Sequence, residues 1–209
     1  MNKFLRAIKR IGQRGAFATE FAIVIPLLTI MSLTTVESSL IFHHAQKISG
    51  LSREVANRVN RECITLEGKE MSQCIADVID YMTFLGNRVL GQFGTSTDKI
   101  RKGSITVNVW KDPTPPLPDK DPDNSAPQQV GFGSSMNAGA AKLRTSFGTG
   151  KGTQFEGDFK RLLNLKGTLV VAEVYYEYTP KSFMGPLMKK FLRRDPVTGE
   201  GMIYEATIF

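Results

Sequence analysis

The sequence is poor in the residues that build catalytic and metal centres. Its 209 residues include only two cysteines and two histidines. Cys63 and Cys74 lack the spacing of a zinc pair and have no histidine nearby. His43 and His44 are neighbours, and in a helix their side chains point about 100° apart, so they cannot form a shared ligand face. With no catalytic motif present either, the sequence predicts no enzyme, no metal site and no cofactor.

Acidic residues are absent from the first 15 positions, which contain five basic ones: Lys3, Arg6, Lys9, Arg10 and Arg14. Removing these five from the formal net charge of +7 leaves +2. Nucleic acid is therefore not an expected partner, because no long basic stripe interleaved with aromatics remains. The one dense basic cluster left, residues 189–194, could meet lipid headgroups or an acidic partner, but a solvated helix end is the favoured interpretation. By the positive-inside rule, the basic end stays in the cytoplasm and the rest of the chain faces outward.

A long apolar run follows, from Ala16 to Val36, with Glu20 as its only charge. At about 1.5 Å per helical residue it is long enough to cross a hydrocarbon core of about 30 Å. We therefore predict a membrane-spanning helix over 16–36. Pro26 removes one backbone donor, and membrane helices tolerate proline, so we expect a bend there rather than a break.

Glu20 needs a reason to lie in this run, because a charge in hydrocarbon costs at least about 2.5 to 3.5 kcal/mol. Cleavage after Gly15 would supply one, since the new α-amine on Ala16 would lie one helical turn from the Glu20 carboxylate. Two simpler interpretations compete. One is a secretory signal peptide, although residues 32–39 offer no good cleavage site after the run. The other is a plain anchor with a glutamate near the interface.

The junction resembles the processing site of the Tad (tight adherence) branch of type IV pilus proteins, which is a glycine, four residues, then glutamate and an aromatic. The resemblance makes Gly15 the residue before the cut, Ala16 the new N-terminus, and Glu20 and Phe21 the fifth and sixth mature residues. Major pilins commonly have a tyrosine at the position of Phe21, whereas a phenylalanine there is similar to what the minor pseudopilins show. The length of the chain also resembles that of the minor pseudopilins TadE and TadF, because major pilins are little more than a leader and a helix. The similarity continues in three further pieces: Ile25 to Leu28 with Glu37, Val174 to Pro180, and Tyr204 to Phe209.

The resemblance implies a minor pseudopilin that a prepilin peptidase cleaves in the inner membrane, and that works with other Tad subunits in building Flp-type pili for adherence. Three alternatives stay open. The chain could be an uncleaved single-pass envelope scaffold that binds an assembly partner. It could be a pseudopilin of the general secretion machinery, although Ala16 and Ala18 depart from that pattern. The third alternative is an enzyme whose catalytic residues lie far apart in the sequence and so form no recognisable motif.

The two cysteines fall on the outward side of the predicted anchor, where an oxidising compartment such as the periplasm permits a disulfide. We predict that Cys63 and Cys74 pair. Closing this short loop would stabilise the fold by about 2 to 3 kcal/mol on the chain-entropy estimate. The crosslink would fix the turn between two helices.

The remaining pattern predicts an α+β fold. A stripe of apolar residues, Ile41, Ala45, Ile48, Leu51, Val55 and Val59, extends the helix as a stalk over 37–62. A second amphipathic helix is expected over 70–93, with strands around 105–109, 169–178 and 202–209 forming an antiparallel sheet on the stalk. We assign 1–15 to a leader and 63–209 to a periplasmic domain. The proline- and glycine-rich stretch 112–152 is predicted to be a loop.

Overall fold

The computed structural model describes residues 2–90, 95–96, 99–100, 103–111, 128–135, 161–163, 165–179, 185–194 and 201–209. It describes the backbone alone at 2–19, 95–96, 99–100, 128, 185 and 189. The predicted leader therefore lies outside the part whose side chains are described. So do the loop residues 112–127 and 136–152.

The first helix, α1, runs from Asn2 to Glu62 without interruption, and Pro26 lies inside it. Its described part is long and apolar enough to cross a membrane, and almost none of the apolar stretch is covered by the rest of the chain. The helix ends at Glu62, where the stalk is predicted to end. The side chains of Ile48, Val55 and Val59 are fully buried, so this stripe packs against the same chain.

The second helix, α2, runs from Gly68 to Leu90 and lies antiparallel to α1. At one end, a disulfide joins Cys63 to Cys74, whose Cα atoms are 5.6 Å apart. At the other end, the Lys47 ammonium donates to the carbonyl oxygen of Val89 at 3.2 Å. The predicted disulfide is confirmed, and it fixes the turn between the two helices.

The strands are β1 (Thr95–Ser96), β2 (Lys99–Ile100), β3 (Gly103–Lys111), β4 (Gln128–Ser134), β5 (Thr168–Glu177), β6 (Arg193–Arg194) and β7 (Gly201–Ile208). The first two form a separate pair, and the others form one antiparallel sheet in the order β4-β3-β5-β7-β6. A short helix, α3 (Gly185–Lys189), precedes β6. The predicted α+β class is confirmed, and the predicted 169–178 strand forms the centre of the sheet.

Both long helices pack on one face of this sheet, α1 across β5 and β7, and α2 across β4 and β3. Alternate residues of β3 and β5 enter this core, among them Val107, Val109, Val170 and Val174. The residues between them point to the opposite face, where Trp110 and Leu169 are buried in a second cluster. Both faces of the central strands are therefore covered, which is why β5 reads as a nearly continuous apolar run.

The prediction of a loop over 112–152 is wrong for residues 128–134, which form strand β4. The glycines that favoured a loop are there because α2 comes close. A Cβ on Gly133 would lie 2.5 Å from Cγ2 of Ile75, and one on Gly131 would lie 2.8 Å from Cδ1 of the same side chain. Glycine normally weakens a strand, but here it makes room for the helix.

Candidate functional site

The predicted processing junction lies in the N-terminal half of α1. Glu20 is exposed, and Phe21 is 49% exposed. Gly15 and Ala16 belong to the same helix, but their side chains are outside the described part. The helix continues through the junction, so positions 16 and 20 fall on one face, one turn apart. Within the described residues, no ion pair involves Glu20.

The surface around this junction suits a hydrocarbon environment. Every side chain from Glu20 to Ser32 is exposed, and apart from Glu20 these are apolar or small. Each threonine hydroxyl in the second half of the run donates to a carbonyl one turn earlier, at 2.8 Å to Ile25, 2.8 Å to Ile30 and 2.9 Å to Met31. Hydroxyls satisfied in this way can face lipid without an unpaired polar group.

Glu37 begins a different environment, because it is the first residue after the predicted span and is fully buried. The hydroxyl of Tyr178 donates a 2.5 Å hydrogen bond to its Oε1 atom. Tyr178 follows strand β5 and is 1% exposed. This bond therefore fastens the point where α1 leaves the span to the end of the central strand. We call it, together with the His44 contacts described next, the anchor cluster.

His44 completes the anchor cluster two turns further along α1. Its Nδ1 lies 2.7 Å from the carbonyl oxygen of Leu40, which can only accept, so Nδ1 carries the proton. The imidazole stacks on the ring of Tyr176 with centroids 5.5 Å apart and planes inclined by 15°. It meets Tyr178 edge-on at 5.9 Å. Tyr176 in β5 and Tyr178 just after the strand thus both hold α1 at this histidine.

A second polar contact fixes α1 further from the span. The hydroxyl of Ser52, fully buried, donates to the carbonyl oxygen of Ala172 at 3.0 Å and lies 2.9 Å from Oγ1 of Thr207. Rotation or sliding of α1 would break this contact and the anchor cluster together. The helix is therefore held to strands β5 and β7 in one register.

Burial, and after it the hydrogen bond to Glu37, raises the pKa of the Tyr178 hydroxyl well above its ordinary value of 10.0. The hydroxyl therefore keeps its proton and remains a donor to Glu37 throughout the neutral range. The Glu37 carboxylate is consequently shielded from the apolar surroundings at this position.

Replacing Tyr178 by phenylalanine is expected to lower the free energy of unfolding by about 1 to 3 kcal/mol, because Glu37 stays buried and loses this donor. Denaturant unfolding of the detergent-solubilised chain, followed by the fluorescence of the single Trp110, measures the loss. Tyr81→Phe is the matched control, since that ring is 48% exposed, and it should change stability by less than about 0.5 kcal/mol.

The same variant has an expected pH signature. A tyrosine whose pKa is raised on folding contributes stability that is fully present below the unfolded pKa of about 10 and is lost as pH rises above it. The difference between the wild type and Tyr178→Phe should therefore shrink above about pH 10. A difference that stays constant through pH 11 would contradict the assigned role of this hydroxyl.

The anchor cluster was not predicted from the sequence, although Glu37 and Tyr178 both lie in pieces that resemble the Tad proteins. The two residues are 141 positions apart. One signal was available, since a lone acid directly after an apolar run needs a partner, and a tyrosine that ends an apolar strand can supply one. Sequence alone does not say that the two meet.

Part of the chain matches a known protein family. The family described as TadE-like protein matches residues 15–57, about one fifth of the chain. The matched segment begins at the glycine of the predicted cleavage site and contains Ala16, Glu20, Phe21 and Glu37. The predicted resemblance is confirmed over these residues. No curated protein and no solved structure gave a significant match to the chain.

Proposed function

We propose that this chain, which is TadE-like over residues 15–57, is a minor pseudopilin that a prepilin peptidase cuts between Gly15 and Ala16. The TadE-like segment relates the chain to the Tad system of Flp pili. In the proposed role, the protein is a substrate of the peptidase rather than an enzyme. It is anchored in the inner membrane with residues 1–15 in the cytoplasm and the sheet domain in the periplasm.

The observation that carries this proposal is that the family match includes the whole predicted junction, with Gly15, Ala16, Glu20 and Phe21. A plain membrane anchor gives no reason for a glycine, a glutamate and an aromatic residue to fall together at this place. The match also includes Glu20, which a plain anchor would be expected to avoid.

Cleavage would change the electrostatics of the helix end. Glycine has no side chain, so the backbone at Gly15 can extend into a peptidase where a bulkier residue would obstruct it. The cut creates a cationic amine at Ala16, next to Glu20 on the helix. Pairing of opposite charges is strong where the dielectric is low, so Glu20 would bind its own amine or that of a neighbouring subunit. Such a contact sets the register between subunits of an assembly.

The anchor cluster gives the periplasmic domain a part in this process. Glu37 and Tyr178 join the helix to the central strand at the end of the span. A force that moves the helix within the membrane is therefore transmitted directly to the sheet. The domain would follow the helix into or out of an assembly as one body.

Glu20→Ala is expected to leave the protein stable in the membrane but to lower pilus number by about 10-fold, which corresponds to losing an interaction of about 1.4 kcal/mol. Counting pili by electron microscopy, with the membrane level of the chain checked by immunoblot, measures the effect. Glu54→Ala is the matched control, since Glu54 is an exposed acid on the same helix beyond the span. Equal pilus numbers for Glu20→Ala and the wild type would count against the assembly role.

The uncleaved envelope scaffold is the rival account. It also needs the spanning helix and the periplasmic domain, so neither of these separates the two. The leader does, because the scaffold would keep residues 1–15 attached in the mature protein.

A further inference from the structure

We propose that the segment Gly185–Arg194, which comprises α3, a turn and β6, docks on the anionic lipid surface beside the spanning helix and gives the domain a second membrane contact. The inference rests on the proposed membrane span of α1 and does not depend on cleavage of the leader.

The carboxyl end of β5 is the end nearest the membrane. Along β5, Ala172 contacts Ser52 of α1, whereas Tyr178, just after the strand, contacts Glu37. As the numbers rise along β5, those of its partners in α1 fall toward the span. Tyr178 therefore lies at the level where the helix leaves the membrane.

The segment Gly185–Arg194 lies at this same end of the sheet. Strand β7 is antiparallel to β5, so it begins at the membrane-proximal end. Strand β6 pairs there, with Arg193 opposite Met202 and Arg194 opposite Gly201. The preceding helix α3 contacts α1 itself. The segment thus lies beside the emerging helix.

This segment has apolar side chains on two sides, one packed against the core and the other exposed, as an interfacial surface requires. Leu192 packs against the core, whereas Phe191 is 85% exposed and Leu187 is 50% exposed. The turn is held by backbone hydrogen bonds, from Lys190 to Leu187 at 3.1 Å and from Phe191 to Met188 at 3.0 Å. The outward position of Phe191 is therefore built into the turn.

Charge favours lipid as the occupant. Residues 189–194 contain four basic side chains and no acid. Lys190 and Arg194 are exposed, and Arg193 lies over the ring of Tyr204 at 4.7 Å. An exposed aromatic among basic residues, held at the membrane surface, has the composition of an interfacial anchor for anionic headgroups.

The test places one tryptophan at a time in the full, uncleaved chain, reconstituted in phosphatidylcholine vesicles with phosphatidylglycerol. Quenching by lipids brominated near the headgroup is compared for Phe191→Trp and Leu165→Trp. Leu165 is 75% exposed and lies before β5, at the membrane-distal end of the sheet, so it is the matched control. The fluorescence of the buried Trp110 is measured in the chain without an added tryptophan and is subtracted from the signal of each variant.

Quenching of Phe191→Trp is expected to exceed that of Leu165→Trp by at least about twofold, and to fall toward the control when Lys190→Glu and Arg194→Glu are added. Equal quenching at the two positions would overturn lipid docking, and an acidic protein partner would then fit the segment better. Leu27→Trp, probed with lipids brominated deep in the acyl chain, reports insertion of α1 itself. A failure of the span is thereby distinguished from a failure of docking.

Discussion

Replacing Gly15 by leucine is expected to leave nearly all of the protein uncleaved in cells that contain the prepilin peptidase. A side chain at this position keeps the backbone from entering the peptidase, and a misplacement of about 1 Å at a scissile bond can cost about 100-fold in rate. An immunoblot of the steady-state protein measures the ratio of precursor to mature chain. The expected result is accumulation of the precursor in the membrane at its normal level.

Gly12→Leu is the matched control for this experiment. It adds the same side chain to the same basic leader, three residues before the junction. It should leave processing intact. Equal processing of Gly15→Leu and the wild type would contradict the assigned cleavage site, whereas loss of processing in both variants would show only that the leader tolerates no bulk.

Replacing Gly133 by valine is expected to destabilise the domain by about 1 to 3 kcal/mol or to shift α2 away from the sheet. The first added carbon alone would lie 2.5 Å from Cγ2 of Ile75 and 2.7 Å from Cδ1 of Ile79. Cγ2 is attached directly to the stiff, branched Cβ of isoleucine, so it cannot move aside without moving the helix. Denaturant unfolding followed by the fluorescence of Trp110 measures the change.

Gly50→Ala is the control for this experiment, because an added side chain meets no neighbour there. Gly50 lies exposed in α1, and nothing lies within 4 Å of an added Cβ. Alanine there should stabilise the helix by about 0.5 to 1 kcal/mol. A loss of stability for Gly133→Val no greater than about 0.5 kcal/mol would show that α2 does not pack on β4 as described.

The parts of the fold that the sequence predicts are those with a strong local period. The stripe from Ile41 to Val59 repeats at helical spacing, and it fixes both the length of α1 and the face that it buries. Residues 169–178 are apolar at nearly every position, which indicates a strand covered on both faces. In both cases the local pattern and the tertiary packing agree.

Strand β4 could not be predicted in the same way. Its glycines, at 131 and 133, weaken the strand pattern, and the reason for them lies in Ile75 on a different element. The anchor cluster is similar, because the bond between Glu37 and Tyr178 joins residues that only the assembled sheet brings together. A local pattern records which side chains need a partner, whereas the partner itself is set by the topology.

The functional regions differ in the same way, because one is a local motif and the other depends on the tertiary structure. The junction from Gly15 to Phe21 is a short, local motif, so the sequence alone predicts it, and the TadE-like match covers it. The docking segment is not visible in that way. Its basic cluster by itself favours a solvated helix end over a contact with lipid headgroups, and only the direction of β5 brings it to the membrane.

The N-terminus of the mature protein tests the central claim most directly. We would determine it by mass spectrometry of the intact chain from cells with and without their prepilin peptidase. The proposed function requires a chain that starts at Ala16 when the peptidase is present and at Met1 when it is absent. A chain that starts at Met1 in both would contradict it and leave the uncleaved envelope scaffold as the better account.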